Sequence, residues 1–190
     1  MAAGSDSLGS MRGVELAAGA VASIVVIGGL VSAPSAHATD YGVALNGTYR
    51  AFSNGDWAQT SAGPHGAGGA MVYIDQPSKL ETWTVTSDCV SPIECYGEVR
   101  SDAGWTGVLN WNGDSWRMDR DIPNWQPCPD GTAAPGHQHF ALWGWTPDTS
   151  EKNKNRDLIV GYERTQSPSG ACGYNKSVVT QLPVRLERMS

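Results

Sequence analysis

The feature that most constrains this chain is a side-chain alternation of period two that is repeatedly cut short. Residues 80–87 put Trp83 and Val85 on one face and Thr82, Thr84 and Thr86 on the other. Successive side chains of an extended chain point to opposite faces, so this is the pattern of a half-buried strand. Residues 45–53 alternate likewise, with Leu45, Gly47, Tyr49 and Ala51 on one face, until Asn54-Gly55-Asp56 ends the run. Further strands are expected over 95–101, 105–111, 115–120, 138–145, 157–164 and 177–188, with a short one over 71–75. Asn112-Gly113 has the composition of a hairpin turn. Residues 61–70, with four Gly and one Pro, read as a flexible loop or barrel lid. Residues 122–136 hold four Pro and read as a long loop.

No later stretch carries an extended 3.6-residue apolar period. About eight or nine short strands with frequent turns predict an all-β domain. Short connections favour a single antiparallel β-barrel, a calycin-like meander of about eight strands, with a β-sandwich as the alternative. Closure also removes the exposed sheet edges that template aggregation. No internal repeat is evident.

The first 38 residues read as an address rather than as fold. Residues 16–31 are an apolar run followed by Ala36-His37-Ala38, whose small residues suit signal peptidase, so cleavage is expected after Ala38. The run is shorter than the roughly 20 residues of a membrane-spanning helix, and no stable membrane span is expected. Residues 1–10 read as an over-extended start, because Met11-Arg12 puts a positive charge beside the amino terminus. Residues 39–190 then form a single β-domain, secreted or held in the cell envelope.

Export places Cys89, Cys95, Cys128 and Cys172 where disulfides persist. Four cysteines permit three pairings. Cys89–Cys95 and Cys128–Cys172 is the favoured one, since the first pair brackets a segment short enough to be a stapled loop between strands. Loop-closure entropy assigns about 2.4 kcal/mol to the short loop and about 4 kcal/mol to the long one. A four-cysteine zinc site needs tighter paired spacings.

The net charge of -6, from 13 basic and 19 acidic residues, argues against nucleic acid as a partner. The 40% hydrophobic content excludes a disordered chain. His137 and His139 lie two apart on an expected strand and share a face, so both could reach one metal, with His65 as a third ligand. The alternative is two histidines at a solvent edge. The eight Trp residues offer rings for a core, a cavity or glycan stacking. Trp83 and Trp116 read as core, while Trp143 and Trp145 continue the face of His139. Tyr49, Trp143, Trp145 and Tyr162 are the candidate ligand-binding rings. Residues 63–69 lack the Lys and the helix of a phosphate loop. No Gly-x-Ser-x-Gly elbow occurs, paired carboxylates have no distinguishing context, and no catalytic residue or cofactor is assigned.

Gly47-Thr48-Tyr49-Arg50, Thr82-Trp83-Thr84-Val85 with Ser87 and Cys89, then Cys95, Gly113, Trp116 and Cys128 before Asp130-Gly131-Thr132 form an ordered set, closed by Cys172 and Leu186-Glu187-Arg188. It resembles small exported proteins of mycobacteria and related actinobacteria. It is also similar to extracellular domains attached to some of their receptor-type Ser/Thr kinases. The likeness covers nearly all of residues 39–190 and implies a structural framework, with no catalytic set. A second resemblance is to the lipocalin-like group, with Tyr49 in place of the Gly-x-Trp ring and Arg185 or Arg188 as its cation.

Together these features predict an exported, non-enzymatic β-domain that binds a small hydrophobic ligand or an envelope or extracellular partner. One alternative is a metal-dependent hydrolase using His137 and His139. Another is a secreted protein-interaction factor without a pocket.

Overall fold

The computed structural model describes residues 41–61, 70–173 and 175–189. The expected leader and its cleavage site, His65 and most of the Gly-rich loop lie outside these residues. Eleven strands run β1 (Gly47–Ser53), β2 (Gln59–Thr60), β3 (Val72–Tyr73), β4 (Lys79–Ser91), β5 (Glu94–Ser101), β6 (Thr106–Trp111), β7 (Trp116–Pro127), β8 (Ala133–Thr146), β9 (Glu151–Asn153), β10 (Leu158–Gln166) and β11 (Val179–Arg188). Eight of them, in the order β1-β4-β5-β6-β7-β8-β10-β11, close into an antiparallel barrel through the β1–β11 pairing. β2 and β3 extend from β11 as a short ribbon, and β9 pairs with β8. The barrel is therefore closed, and the sandwich alternative does not apply.

The alternation sets the interior. Tyr49, Ala51, Trp83, Val85, Val99, Leu109, Met118, Phe140, Leu142, Ile159, Val184 and Leu186 point inward and form one buried cluster. Trp83 is its hub, edge-on to Phe140 at 5.3 Å and to Trp105 at 5.2 Å, the arrangement that ring quadrupoles favour. Val43 and Leu45 are also buried in the cluster. They precede β1 and close one end of the barrel, so the alternation from Leu45 onward becomes a plug followed by a strand. The Leu45 amide donates to Ser87 Oγ at 2.7 Å.

Both disulfides form as expected. Cys89 and Cys95 face each other directly across β4 and β5. Cys128–Cys172 ties the β7–β8 turn to the segment after β10.

The main difference from the expected strands lies in residues 122–136. They are not a long loop. β7 runs on to Pro127 and β8 starts at Ala133, leaving only residues 128–132 as a turn. That turn closes through Cys128 N to Thr132 O at 2.8 Å, with Gly131 at φ +84. Proline is excluded from a central strand because it lacks the N–H of the ladder. Here the register steps from Ile122↔Gly136 to Gln126↔Ala134, so Pro123 sits in a bulge and Pro135 lies opposite it. Neither proline interrupts a regular pair.

Candidate binding site at the open end of the barrel

The barrel interior changes character along its axis. Toward the end opposite the plug, the inward positions turn polar: Ser53, Lys79, Glu81, Arg120, Gln138, Glu163 and Thr165. Strand parity extends Met118 to Arg120, Phe140 to Gln138 and Ile159 to Glu163. Glu163 is buried, as are Gln138, Ser53 and Thr165.

A buried carboxylate is tolerated only when paired and hydrogen-bonded. Glu163 is both. Its Oε1 accepts from Lys79 Nζ at 2.9 Å. Its Oε2 accepts from Gln138 Nε2 at 2.9 Å and Ser53 Oγ at 3.3 Å. Glu81 is a second hub, whose Oε2 accepts from Ser101 Oγ at 2.6 Å, Trp83 Nε1 at 2.9 Å and Trp105 Nε1 at 3.1 Å. The apolar core and the polar end thus meet at Trp83 and Trp105, whose rings face one and whose N–H groups serve the other.

Arg120 lies over Trp105, its guanidinium carbon 4.0 Å from the ring centroid. Its Nε donates to Gln138 Oε1. Burial lowers the Arg120 pKa, against the opposing pull of Glu81 and Glu163, and an arginine remains charged under such a shift.

These groups surround a cavity of about 630 Å³. Its apolar wall includes Trp105, Ile122, Trp125, Val178 and Leu182. Trp125 reaches the wall because of the β7 bulge, a device that re-aims side chains. Asn124 within it adopts φ +54, a left-handed conformation that asparagine tolerates better than most residues. Gly136 makes room for the ring: a Cβ there would lie 2.7 Å from Trp125 Cδ2 and 2.7 Å from Thr165 Cγ2. Gly55 does the same for the rim, since a Cβ would fall 1.8 Å from the Gln76 carbonyl oxygen. Gln126 Oε1, also in the lining residues, is buried without a hydrogen-bond partner among the described residues.

The residues singled out from the sequence do not gather at this cavity. Tyr49 is in the core, its hydroxyl buried without a partner among the described residues, and burial raises its pKa, opposed by Arg188. Arg188 stands opposite Tyr49 in the ladder, but its guanidinium engages the Asn46 carbonyl at 2.7 Å and Asp157 at 3.6 Å. Trp143, Trp145 and Tyr162 are half-buried on the outer wall. Trp143 is edge-on to Tyr162 at 6.3 Å, with Lys152 5.1 Å from its ring centroid. Tyr162 lines a shallower outer cleft with Trp57 and Tyr73.

His137 and His139 share the outer face, and both turn to Asp119. His139 Nδ1 lies 2.8 Å from Asp119, and its Nε2 lies 3.1 Å from Arg117 Nη1. Arginine can only donate, so Nε2 accepts and Nδ1 carries the proton. His137 Nδ1 lies 2.9 Å from Asp121, with Nε2 3.3 Å from Asp119. The hydrogen bond to Asp121, reinforced by Asp119, raises the His137 pKa against partial desolvation. Among the described residues no group of three or more His, Cys, Asp or Glu side chains is arranged to hold a metal.

Sequence reasoning missed Lys79, Arg120, Trp125 and Glu163. Carrying strand parity past residue 120 would have marked Arg120 and Ile122 as inward. Nothing short of the fold announces Trp125.

No protein-family model matches the sequence, and no curated protein matches it. Among solved structures the fold is similar to the monomer form of the M. tuberculosis PknI sensor domain. The TM-score is 0.51 at 16% identity, covering 78% of this chain and 89% of that one. This is a likeness of fold, and it falls among the kinase-attached extracellular domains that the sequence motifs resemble. No helix among the described residues is long and apolar enough to cross a membrane. The two disulfides are consistent with an extracellular or envelope location.

Proposed function

We propose that this chain is an exported, non-enzymatic binding domain that holds a small, apolar-bodied molecule in the open end of its barrel. The observation that carries this reading is the cavity of about 630 Å³ with Trp105 and Trp125 in its wall. Small-molecule sites typically span about 300–1,000 Å³, with apolar walls and a few placed polar groups. The leader read in residues 1–38 and the two disulfides support export. The PknI neighbour is a sensor domain by name, and the shared barrel lends a fold-level analogy to sensing. The carboxylates of the mouth are committed to donors from the protein, which suits holding a ligand better than moving protons.

Binding of a naphthylamine-type fluorescent probe tests the reading. Saturable one-to-one binding is expected, weakened several-fold in a folded Trp125→Ala variant. Absence of probe binding, with no small molecule retained in native mass spectrometry, would sink it in favour of a pocketless interaction factor.

A further inference from the structure

The two carboxylates of the open end are matched by donors from the protein itself, and the donors left beside them have a definite chemistry. Glu163 is matched by Lys79, Gln138 and Ser53, and Glu81 by Ser101, Trp83 and Trp105. Of the two cations, Lys79 has a carboxylate at 2.9 Å. Arg120 has an aromatic face beneath it and one amide oxygen on Nε, and neither Nη has a hydrogen-bond partner among the described residues. A guanidinium has five donors in a planar fork suited to a carboxylate, sulfonate or phosphate. Glu81 and Glu163 act on this half-buried cation only at a distance, and no direct ion pair to it is seen among the described residues, so the Nη donors are left for a ligand.

We infer that the ligand of this cavity is a small organic anion, whose acidic head sits on the Arg120 fork and whose flat apolar body lies against Trp125 and Ile122. The inference rests on the binding function proposed above and supplies its ligand class. Trp105 holds the guanidinium plane from below, while Gln138 fixes Nε, so the fork is oriented before the ligand arrives. That orientation reduces the ordering cost of binding. Burial makes the cation costlier to leave unpaired, as the lowered Arg120 pKa reflects. Gln126 Oε1, buried and without a partner among the described residues, can accept one hydrogen bond from an N–H or O–H on the ligand body.

A matched pair of fluorescent probes reads this directly. 8-Anilinonaphthalene-1-sulfonate and N-phenyl-1-naphthylamine share an apolar body and differ by the sulfonate. The wild-type chain is expected to bind the sulfonate about tenfold or more tightly than its neutral twin, the scale of one charge-assisted hydrogen-bonded pair. In Arg120→Gln that preference should vanish, the ratio of the two affinities falling to about one whatever the absolute affinity of either probe. Equal wild-type affinities would overturn the anion class and leave the cavity reading standing. Binding of neither probe, with no small molecule retained in native mass spectrometry, would overturn both. A preference that survives intact in Arg120→Gln puts the anion elsewhere and overturns the assignment. If the Gln variant does not fold, the Arg120 side-chain NMR signal of the wild-type chain decides: it should move with the sulfonate and stay with the neutral twin, and the reverse overturns the inference.

Discussion

His137 shows how strongly neighbouring carboxylates can set the state of one side chain. Its ring nitrogens face Asp121 and Asp119. The hydrogen bond to Asp121 holds its pKa above the ordinary histidine value. A raised folded-state pKa means the protonated form is favoured by folding. The contribution is present in full below the unfolded pKa near 6.5 and disappears as pH rises through the folded value. The side chain is 60% exposed, so solvent screening keeps the effect on stability small. An NMR titration should place the His137 midpoint above that of an unfolded-chain histidine, and Asp121→Asn should lower it. A wild-type midpoint at or below the unfolded value would contradict the hydrogen bond.

At the scale of elements, the β7–β8 pair explains both what the sequence disclosed and what it concealed. Strands β4, β5 and β6 announce themselves where an apolar inward residue alternates with a polar outward one, as in Trp83 against Thr84 or Leu109 against Asn110. The end of β7 does not, because its inward residues turn polar and its prolines imitate a loop. Arg120, Gln138 and Glu163 look like surface residues in sequence. They become interior ones only when partners on other strands satisfy them, and those partners lie 18 to 110 positions away. Trp125 is hidden twice, inside an apparent loop and off the alternation, since the bulge resets the parity. The Gly136 contact gives this account a test. Gly136→Ala places a methyl where the Trp125 ring and Thr165 now lie. Its expected result is a several-fold loss of probe affinity with an intact far-ultraviolet dichroism spectrum. Unchanged affinity would mean that Trp125 does not form the wall.

For the whole molecule, the cysteines were legible where the site was not, because their spacing reports chain connectivity directly. Two covalent links are superimposed on a barrel closed by hydrogen bonds, and they enclose very different lengths of chain, with separations of 6 and 44 residues. If their main effect is on the unfolded ensemble, the long link matters more. Cys128→Ser with Cys172→Ser is expected to cost about 4 kcal/mol of unfolding free energy, against about 2.4 kcal/mol for Cys89→Ser with Cys95→Ser. Denaturant melts of the two double variants measure the difference, and a reversed order would reject the entropic account.

The axial division between plug and mouth has a further consequence. β1 starts and β11 finishes beside the plug, where the Met189 amide donates to the Thr48 carbonyl at 2.8 Å. Ser53, Thr180 and Leu182, at the other ends of those strands, approach or line the mouth. Residues 47 and 189 therefore leave the barrel together, from the plugged end. Anchoring the domain by either one, to a bead, a sensor chip or a neighbouring domain, turns the mouth outward like a cup held by its base.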